Sequence, residues 1–176
     1  DPFAIGIILS ARTILSEGLA SSFAAIHPSS GTVSTTEPFD EDFLQAVRSM
    51  PEVQDADARR NISARVEVAP GEWKNITLFV IADYNDIRVN TVTSESGAWP
   101  PPEREILIER AALPVIDAQV GDVIRVKMPS DAQRELRIAG AAYDPAQLPA
   151  QLDSTPYGYI TFDTLEWLGE DYGFNE

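Results

Sequence analysis

Residues 105–140 read EILIERAALPVIDAQVGDVIRVKMPSDAQRELRIAG, and this stretch decides the fold that the sequence predicts. Short runs of apolar and β-branched residues in it indicate strands, whereas Gly and Pro residues between the runs indicate turns. The predicted order is strand 105–109, helical turn 110–115, strand 123–128 and strand 135–139. Strands this short and this close in sequence are typical of a small barrel-like unit.

The residues just before this stretch read SESGAWPPP over 94–102 and predict a loop, which three consecutive prolines stiffen. An aromatic side chain on a stiff loop loses little entropy on docking, so it makes a good interface anchor. The predicted partner-contact residues are Trp99, Pro100, Pro101 and, in a second proline-containing loop, Leu148. In the alternative interpretation Trp99 folds back as a lid over the core, because tryptophan is highly buried on average.

Further from this stretch the pattern is mixed. Residues 41–50 predict a helix, and apolar alternation over 61–69 and 73–81 predicts a hairpin. A last strand over 157–162 precedes a helix for which Asp163 is the predicted N-cap. The predicted fold class is therefore α+β (mixed α/β), with a strand–helix–strand body, a smaller β-rich subdomain and a long N-terminal helix.

The N-terminal segment begins with the apolar run FAIGIIL over 3–9, which is shorter than the about 20 residues that span a bilayer. An apolar stripe continues it as one face of a predicted helix from Phe3 to Ile26, about 35 Å long. The stripe contains Ile5, Ile8, Leu15, Leu19 and Phe23. One interpretation is a core helix, and the other is the outer end of a transmembrane helix that runs into a stalk. An all-apolar start followed by a one-sided stripe favours the second interpretation.

Composition excludes several functional classes. The chain has 176 residues and a net charge of −15, which argues against nucleic acid, whose binding needs Lys and Arg to displace counterions. It contains no cysteine and one histidine, His27, so disulfides, thiolate nucleophiles and multi-His metal sites are excluded. The last seven residues, 170–176, form an acidic tail that we expect to be frayed.

The motifs of common catalytic sites are missing from the sequence. It contains no phosphate-binding glycine loop, no nucleophile elbow and no zinc-binding helix motif. Pairs such as Asp55/Asp57 and Asp83/Asp86 are expected to be solvated or to cap turns, since buried carboxylates are rare. We therefore predict no enzyme, no cofactor and no metal. Two alternatives are a hydrolase with paired carboxylates and an extracytoplasmic solute-binding module with a pocket between its subdomains.

The order and spacing of several short motifs resemble the MacB-like periplasmic core domain of ABC transporter permeases of the FtsX/MacB type. In residues 105–140, a strand ending in Glu, a small helix, a Gly-Asp turn and a strand ending in Gly follow one another as in that family. The matching positions are Glu109, Val120-Gly121-Asp122, Leu136 to Gly140, 43–47 followed by 50–53, Gly97-Ala98-Trp99-Pro100 and Tyr159-Ile160. The resemblance extends from about Phe3 to Gly169.

The resemblance implies a domain inserted between the first two transmembrane helices of a permease. The implied organisation is a stalk helix over 1–29, an α/β body of 30–90 plus 141–169, a β-rich subdomain over 91–140 and the tail over 170–176. The domain would lie on the extracytoplasmic side of the cell membrane. It would be non-catalytic and would couple ATP-driven motion to substrate export or to a partner.

The resemblance also implies partners. ATP hydrolysis would belong to a separate ATP-binding subunit or domain, reached through the membrane part of the permease. A second permease copy and an extracytoplasmic accessory protein are the other implied partners. No nucleic acid and no cofactor are expected.

Overall fold

The computed structural model describes residues 24–176 and confirms a mixture of helices and strands in that range. The elements are α1 (Glu41–Arg48), β1 (Arg60–Ala69), β2 (Glu72–Val80), β3 (Thr93–Gly97), β4 (Glu105–Glu109), β5 (Val123–Lys127), β6 (Gln133–Tyr143), α2 (Ala150–Asp153), β7 (Tyr157–Ile160) and α3 (Phe162–Trp167). The predicted N-terminal helix, with Ile5, Ile8, Leu15, Leu19 and Phe23, lies outside the described residues. Within residues 24–176, no helix combines the length and the hydropathy that crossing a membrane requires.

The strands form one sheet in the order β3-β6-β4-β7-β2-β1-β5, and β5 also pairs with β6. These pairings close six strands into a ring, in which β4–β6 and β2–β7 are parallel. The ring closes because β6 is long: its first half pairs with β5, and its second half pairs with β4. The end of β6 also pairs with β3, which lies outside the ring. Strands from both the predicted body and the predicted β-rich subdomain contribute to this sheet, and the division into those two units stays a prediction.

Aliphatic side chains on one face of the sheet make the main core. Val66, Leu78 and Ile138 are fully buried there, and each such side chain stabilises the fold by about 1.5–3 kcal/mol. Leu165 and Leu168, in and just after α3, pack against the same cluster. The β1–β2 hairpin supplies much of this core, in agreement with the prediction of two paired strands over 61–69 and 73–81.

Aromatic side chains dominate the opposite face. The ring of Phe79 stacks on Tyr157 at 5.8 Å and on Tyr159 at 5.5 Å between centroids. Tyr84 packs on the same cluster, and its hydroxyl donates a hydrogen bond of 2.8 Å to the carbonyl oxygen of Ile160. A sheet covered on both faces explains why β2 is apolar on both sides.

The structure corrects the predicted loop over 94–102. Thr93–Gly97 forms β3, an edge strand that pairs antiparallel with the end of β6. All five residues of β3 are exposed, so no alternation of apolar and polar residues marks the strand in the sequence. Its pairing depends on a close approach to Gly140, which lies far away in the chain.

The ends of two helices show how local chemistry sets their boundaries. Asp40 caps α1 by accepting a hydrogen bond of 3.1 Å from the Phe43 N–H. Thr161, not Asp163, is the N-cap of α3, and its hydroxyl accepts a hydrogen bond from the Thr164 N–H. Both residue types are good caps, and α3 begins at Phe162 because β7 already ends at Ile160.

Candidate functional site

The C-terminal tail meets the end of the sheet where β1 begins and β2 and β7 end, and we call this end of the strands the chain-end edge. The first described residues bond to the segment between β2 and β3. The Thr91 N–H donates to the carbonyl of Ile26 at 2.9 Å, and the Asn90 N–H donates to that of His27 at 3.0 Å. The Ser29 N–H donates to the Asn90 side-chain oxygen at 3.0 Å. The chain just after the predicted stalk is therefore fixed to the segment that follows β2.

The C-terminal tail is held at the same edge, so the expectation that it frays is wrong. Phe174 is 1% exposed and exchanges two backbone hydrogen bonds of 2.8 Å with Phe39. The side-chain amide of Asn175 accepts a hydrogen bond from the Asn61 N–H and donates one to the Asn61 carbonyl, at 2.7 and 2.9 Å. The backbones of Glu176 and Arg59 also bond to each other. We call the segments 35–39, 59–61 and 174–176 the clasp.

A groove of about 290 Å³ lies at the chain-end edge, between α1 and the segments 57–59 and 81–92. Several of its charged side chains form ion pairs with one another. Arg48 lies 3.0 Å from Asp57, whose carboxylate also accepts hydrogen bonds from the N–H groups of Arg88 and Val89. Solute binding by this chain stays an alternative prediction.

The opposite edge, where β4 and β6 end and β7 begins, carries the predicted contact residue Leu148. Leu148 is 62% exposed in the loop that follows β6, and Leu152 in α2 is 76% exposed. Two exposed leucines thus lie four residues apart in the sequence on one short segment, and we keep this segment as the candidate contact region. Sequence reasoning overlooked Leu152, although the repeat AQLPAQL over 146–152 contained the signal.

Trp99 lies in the segment before β4, away from Leu148. Its ring is half-buried against Tyr84, edge to face, with 5.1 Å between centroids. Pro100 is exposed and Pro101 is buried, and the Trp99–Pro100 peptide bond is cis. This segment precedes β4, whereas Leu148 follows β6, and β4 and β6 are parallel, so the two predicted contact regions are at opposite ends of that strand pair. Partner contact at either region stays a prediction.

A polar cluster lies buried on the aromatic face. Arg59, Glu109 and Asp144 are 9%, 5% and 3% exposed, and Tyr159 is fully buried beside them. The Tyr159 hydroxyl donates to the Asp144 carboxylate at 2.8 Å. The Arg59 guanidinium lies 5.3 Å from the centre of the Phe79 ring, and its Nη1 is buried without a hydrogen-bond partner.

Burial changes the acidities in this cluster. Desolvation raises the pKa of Asp144, and the Tyr159 hydroxyl, the Arg59 charge and two backbone N–H groups lower it in part. Desolvation also raises the pKa of Glu109, and the nearby Asp144 charge adds to that rise. Among residues 24–176, no group of three or more His, Asp or Glu side chains is arranged to hold a metal ion.

The comparisons with known proteins concern the fold. No protein-family model and no curated protein matches the chain. The extracellular domain of the noncanonic ABC-type transporter YknZ from Gram-positive bacteria is similar in structure, with a TM-score of 0.52 at 15% identity, and the match covers 85% of this chain and 76% of that one.

A second solved structure gives the same result. The periplasmic region of MacB from Actinobacillus actinomycetemcomitans matches with a TM-score of 0.51 at 11% identity, over 80% of this chain and 63% of that one. The chain thus spans less than two thirds of the MacB region. The fold that the sequence motifs predicted is confirmed: this chain has a MacB-like periplasmic fold.

Proposed function

We propose that the chain is the extracytoplasmic domain of an ABC transporter permease subunit. In this role the domain performs no chemistry and couples ATP-driven movement of transmembrane helices to substrate export or to an extracytoplasmic partner. The observation that carries the proposal is the MacB-like fold, which this chain shares with the extracellular domain of YknZ and the periplasmic region of MacB.

The clasp is the mechanical part of the proposal. Movement of the segment before residue 24 would pull on the chain at Ile26, which is bonded to Thr91 and leads into residues 35–39. Those residues are bonded to the tail, and the tail is bonded to Arg59 and Asn61 at the start of β1. Because β1 belongs to the closed ring of strands, a displacement at the chain-end edge would move the whole sheet.

The opposite edge would then meet the partner. Leu148 and Leu152 are exposed there and are the side chains best placed for an apolar contact. Trp99, Pro100 and Pro101 form a second predicted contact region, nearer the beginning of β4. The partners we propose are a separate ATP-binding subunit or domain through the membrane part, an accessory protein outside the membrane, and a second permease copy.

Thiol labelling tests the location. The chain contains no cysteine, so Leu148→Cys gives it a single thiol. In the full-length protein, with any cysteine outside this chain replaced, we expect a membrane-impermeant maleimide to label this thiol in intact spheroplasts. Labelling only after the membrane is permeabilised, or recovery of the protein in the soluble fraction, would refute an extracytoplasmic membrane-bound domain.

We expect Leu148→Asp combined with Leu152→Asp to weaken partner binding by about tenfold or more, because a charge cannot enter an apolar contact without a large desolvation cost. Both side chains are exposed, so the free energy of unfolding should stay within about 0.5 kcal/mol of the unsubstituted chain. Co-purification with the accessory protein and export by the full-length transporter are the measurements. The matched control is Val33→Asp, at a side chain that is 78% exposed near the clasp. Equal loss in both variants would contradict a contact at Leu148 and Leu152.

A further inference from the structure

The hydrogen-bond ladder of β1 has an open position at Ser63. Two residues earlier in the strand, the N–H and carbonyl groups of Asn61 face the tail, where the Asn175 side chain bonds to both. Because alternate residues of a strand direct these groups to the same side, those of Ser63 and Arg65 face this side too. Arg65 pairs there with Lys127 of β5, whereas Ser63 has no strand partner on this side in the described part of the chain.

A proline explains why β5 does not fill the open position. The register that places Lys127 opposite Arg65 would place Pro129 opposite Ser63. Proline has no N–H to donate to the Ser63 carbonyl, and the chain turns toward β6 at this residue. The ladder of β1 is therefore interrupted between the tail on one side and β5 on the other.

The open position lies in a depression of about 290 Å³, which Ser63 lines together with Arg65, Asn75 and Thr77. Lys127 also lines the depression, but its ammonium group is paired with Asp131 at 2.7 Å. The exposed Arg65 guanidinium has no ion pair or hydrogen bond with the residues that the structure describes. The depression thus offers a ligand one strand N–H, one strand carbonyl and one guanidinium.

We propose that this depression binds the C-terminal end of a short extended peptide. The peptide would lie parallel to β1, with one of its carbonyls accepting from the Ser63 N–H and its next-but-one N–H donating to the Ser63 carbonyl. Its terminal carboxylate would pair with the Arg65 guanidinium, whose planar group of donors suits a carboxylate. This site goes beyond the proposed transport function and does not depend on it.

The charges beside the open position set the direction of the peptide. Glu176 accepts a hydrogen bond from the Asn61 side chain, so the tail side of the depression is negative, whereas Arg65 makes the β5 side positive. A parallel peptide places its carboxylate at the positive side, and an antiparallel one would place it at the negative side.

The length of the open stretch limits the size of the ligand. The tail occupies the ladder at Asn61 and β5 occupies it at Arg65, and these positions are roughly 13 Å apart along the strand. A peptide of about three residues fits between them. The chain of the ligand must end at Arg65, because β5 blocks its continuation. We therefore assign the site to a short free peptide rather than to a long strand of a partner protein.

Titration of the chain with acetyl-trialanine, followed by nuclear magnetic resonance, tests the site. We expect saturable shifts of the Ser63 and Arg65 N–H signals, and hydrogen exchange of the Ser63 N–H about tenfold slower at saturation. The same peptide with a C-terminal amide should bind about fivefold more weakly, because it lacks the carboxylate that pairs with the partly solvated guanidinium. A longer peptide that ends in the same three alanines should bind no more tightly, because its additional residues have no strand to pair with.

Variants separate the two contacts. Ser63→Pro removes the N–H that faces the depression and leaves the bonds of β1 to β2 in place, so it should weaken binding about tenfold or more. Its matched control, Ser63→Ala, keeps the N–H and should bind like the unsubstituted chain. Arg65→Gln should abolish the difference between the acid and amide peptides. Arg137→Gln, at an exposed arginine of β6 that does not line the depression, should preserve that difference.

Four results would each overturn the proposal. They are Ser63 signals that do not shift saturably, equal binding of the acid and amide peptides, equal binding to Ser63→Pro and Ser63→Ala, and binding of the longer peptide that is tenfold tighter. If Ser63→Pro does not fold, the comparison of Arg65→Gln with Arg137→Gln decides, and the same result in both counts against the site. All these measurements use the chain without membrane or transporter, so their failure would leave the proposed transport function intact.

Discussion

Substitution of Phe174 by alanine is expected to lower the free energy of unfolding by about 3–5 kcal/mol, the usual cost of removing a buried phenyl ring. Phe174 is 1% exposed although it is the third residue from the end of the sequence. Its ring contacts Phe39 at 5.8 Å and Phe162 at 5.3 Å between centroids. The substitution would leave a cavity between the clasp and α3, and it would weaken the pairing of the tail with residues 35–39.

Chemical denaturation of the chain measures this effect, and Phe43→Ala is the matched control. Phe43 is also a phenylalanine near Phe39, but it is 52% exposed, so its removal should cost about 1 kcal/mol or less. Limited proteolysis of the Phe174→Ala variant should also release the C-terminal residues early. Similar stability losses in the two variants would mean that the tail does not contribute to the core.

The clasp shows why the tail was mispredicted from sequence. Residues 170–176 contain three acidic side chains and a glycine, and such a composition at a chain end is typical of fraying. Burial of Phe174 depends on Phe39, and the role of Asn175 depends on the backbone of Asn61, more than a hundred residues away. The residues near the chain end do not indicate these contacts, because the contacts form only when β1 and the tail have come together.

Residues 105–140 were easier to predict for the opposite reason. Their strands are bounded by turn residues within the same stretch, and the strands 123–127 and 133–143 pair with each other across a short turn. The closure of the ring was not visible in this pattern, because it requires β5 to pair with β1 as well. The same contrast between local and distant contacts holds for the predicted partner-contact residues. Leu148 is exposed as expected, whereas the partial burial of Trp99 depends on Tyr84 from another loop.

The buried cluster escaped prediction because its members are ordinary residues in the sequence. Asp144 stands before a proline and Glu109 ends a strand, and both positions suit a carboxylate that faces solvent or caps a turn. Only the pairing of β4 with β6 and with β7 brings them onto the same face as Tyr159 and Arg59. A count of 28 acidic residues gave no reason to single out these two.

Substitution of Gly140 by alanine is expected to destabilise the chain by about 2–3 kcal/mol, at the upper end of the usual cost of overpacking. A Cβ atom at this position would lie 2.4 Å from the carbonyl oxygen of Ser96. That atom belongs to the backbone of β3, so a side-chain rotation cannot relieve the collision. The opposing Gly97 is equally confined, with a φ of +83° and a hypothetical Cβ 2.3 Å from the Ala139 carbonyl oxygen. The two glycines let β3 and β6 approach, which explains in physical terms why the Gly-Ala-Trp-Pro motif begins with glycine.

The Gly140→Ala substitution should change the surroundings of Trp99 as well as the stability of the whole chain. The Ala98 N–H donates a hydrogen bond of 3.0 Å to the Ala139 carbonyl, so separation of β3 from β6 would also displace the adjoining Trp99. We therefore expect Gly140→Ala to shift the fluorescence of Trp99 to longer wavelength, measured with Trp73 and Trp167 replaced by phenylalanine, alongside a lower midpoint of denaturation. Gly31→Ala is the control, because nothing lies within 4 Å of its Cβ position and its backbone is not in the left-handed region. A Gly140→Ala chain as stable as Gly31→Ala, with unchanged fluorescence, would show that β3 does not depend on this contact. In the expected case, the strand that the sequence pattern missed is held to the ring by two residues without side chains, and the position of Trp99 follows from them.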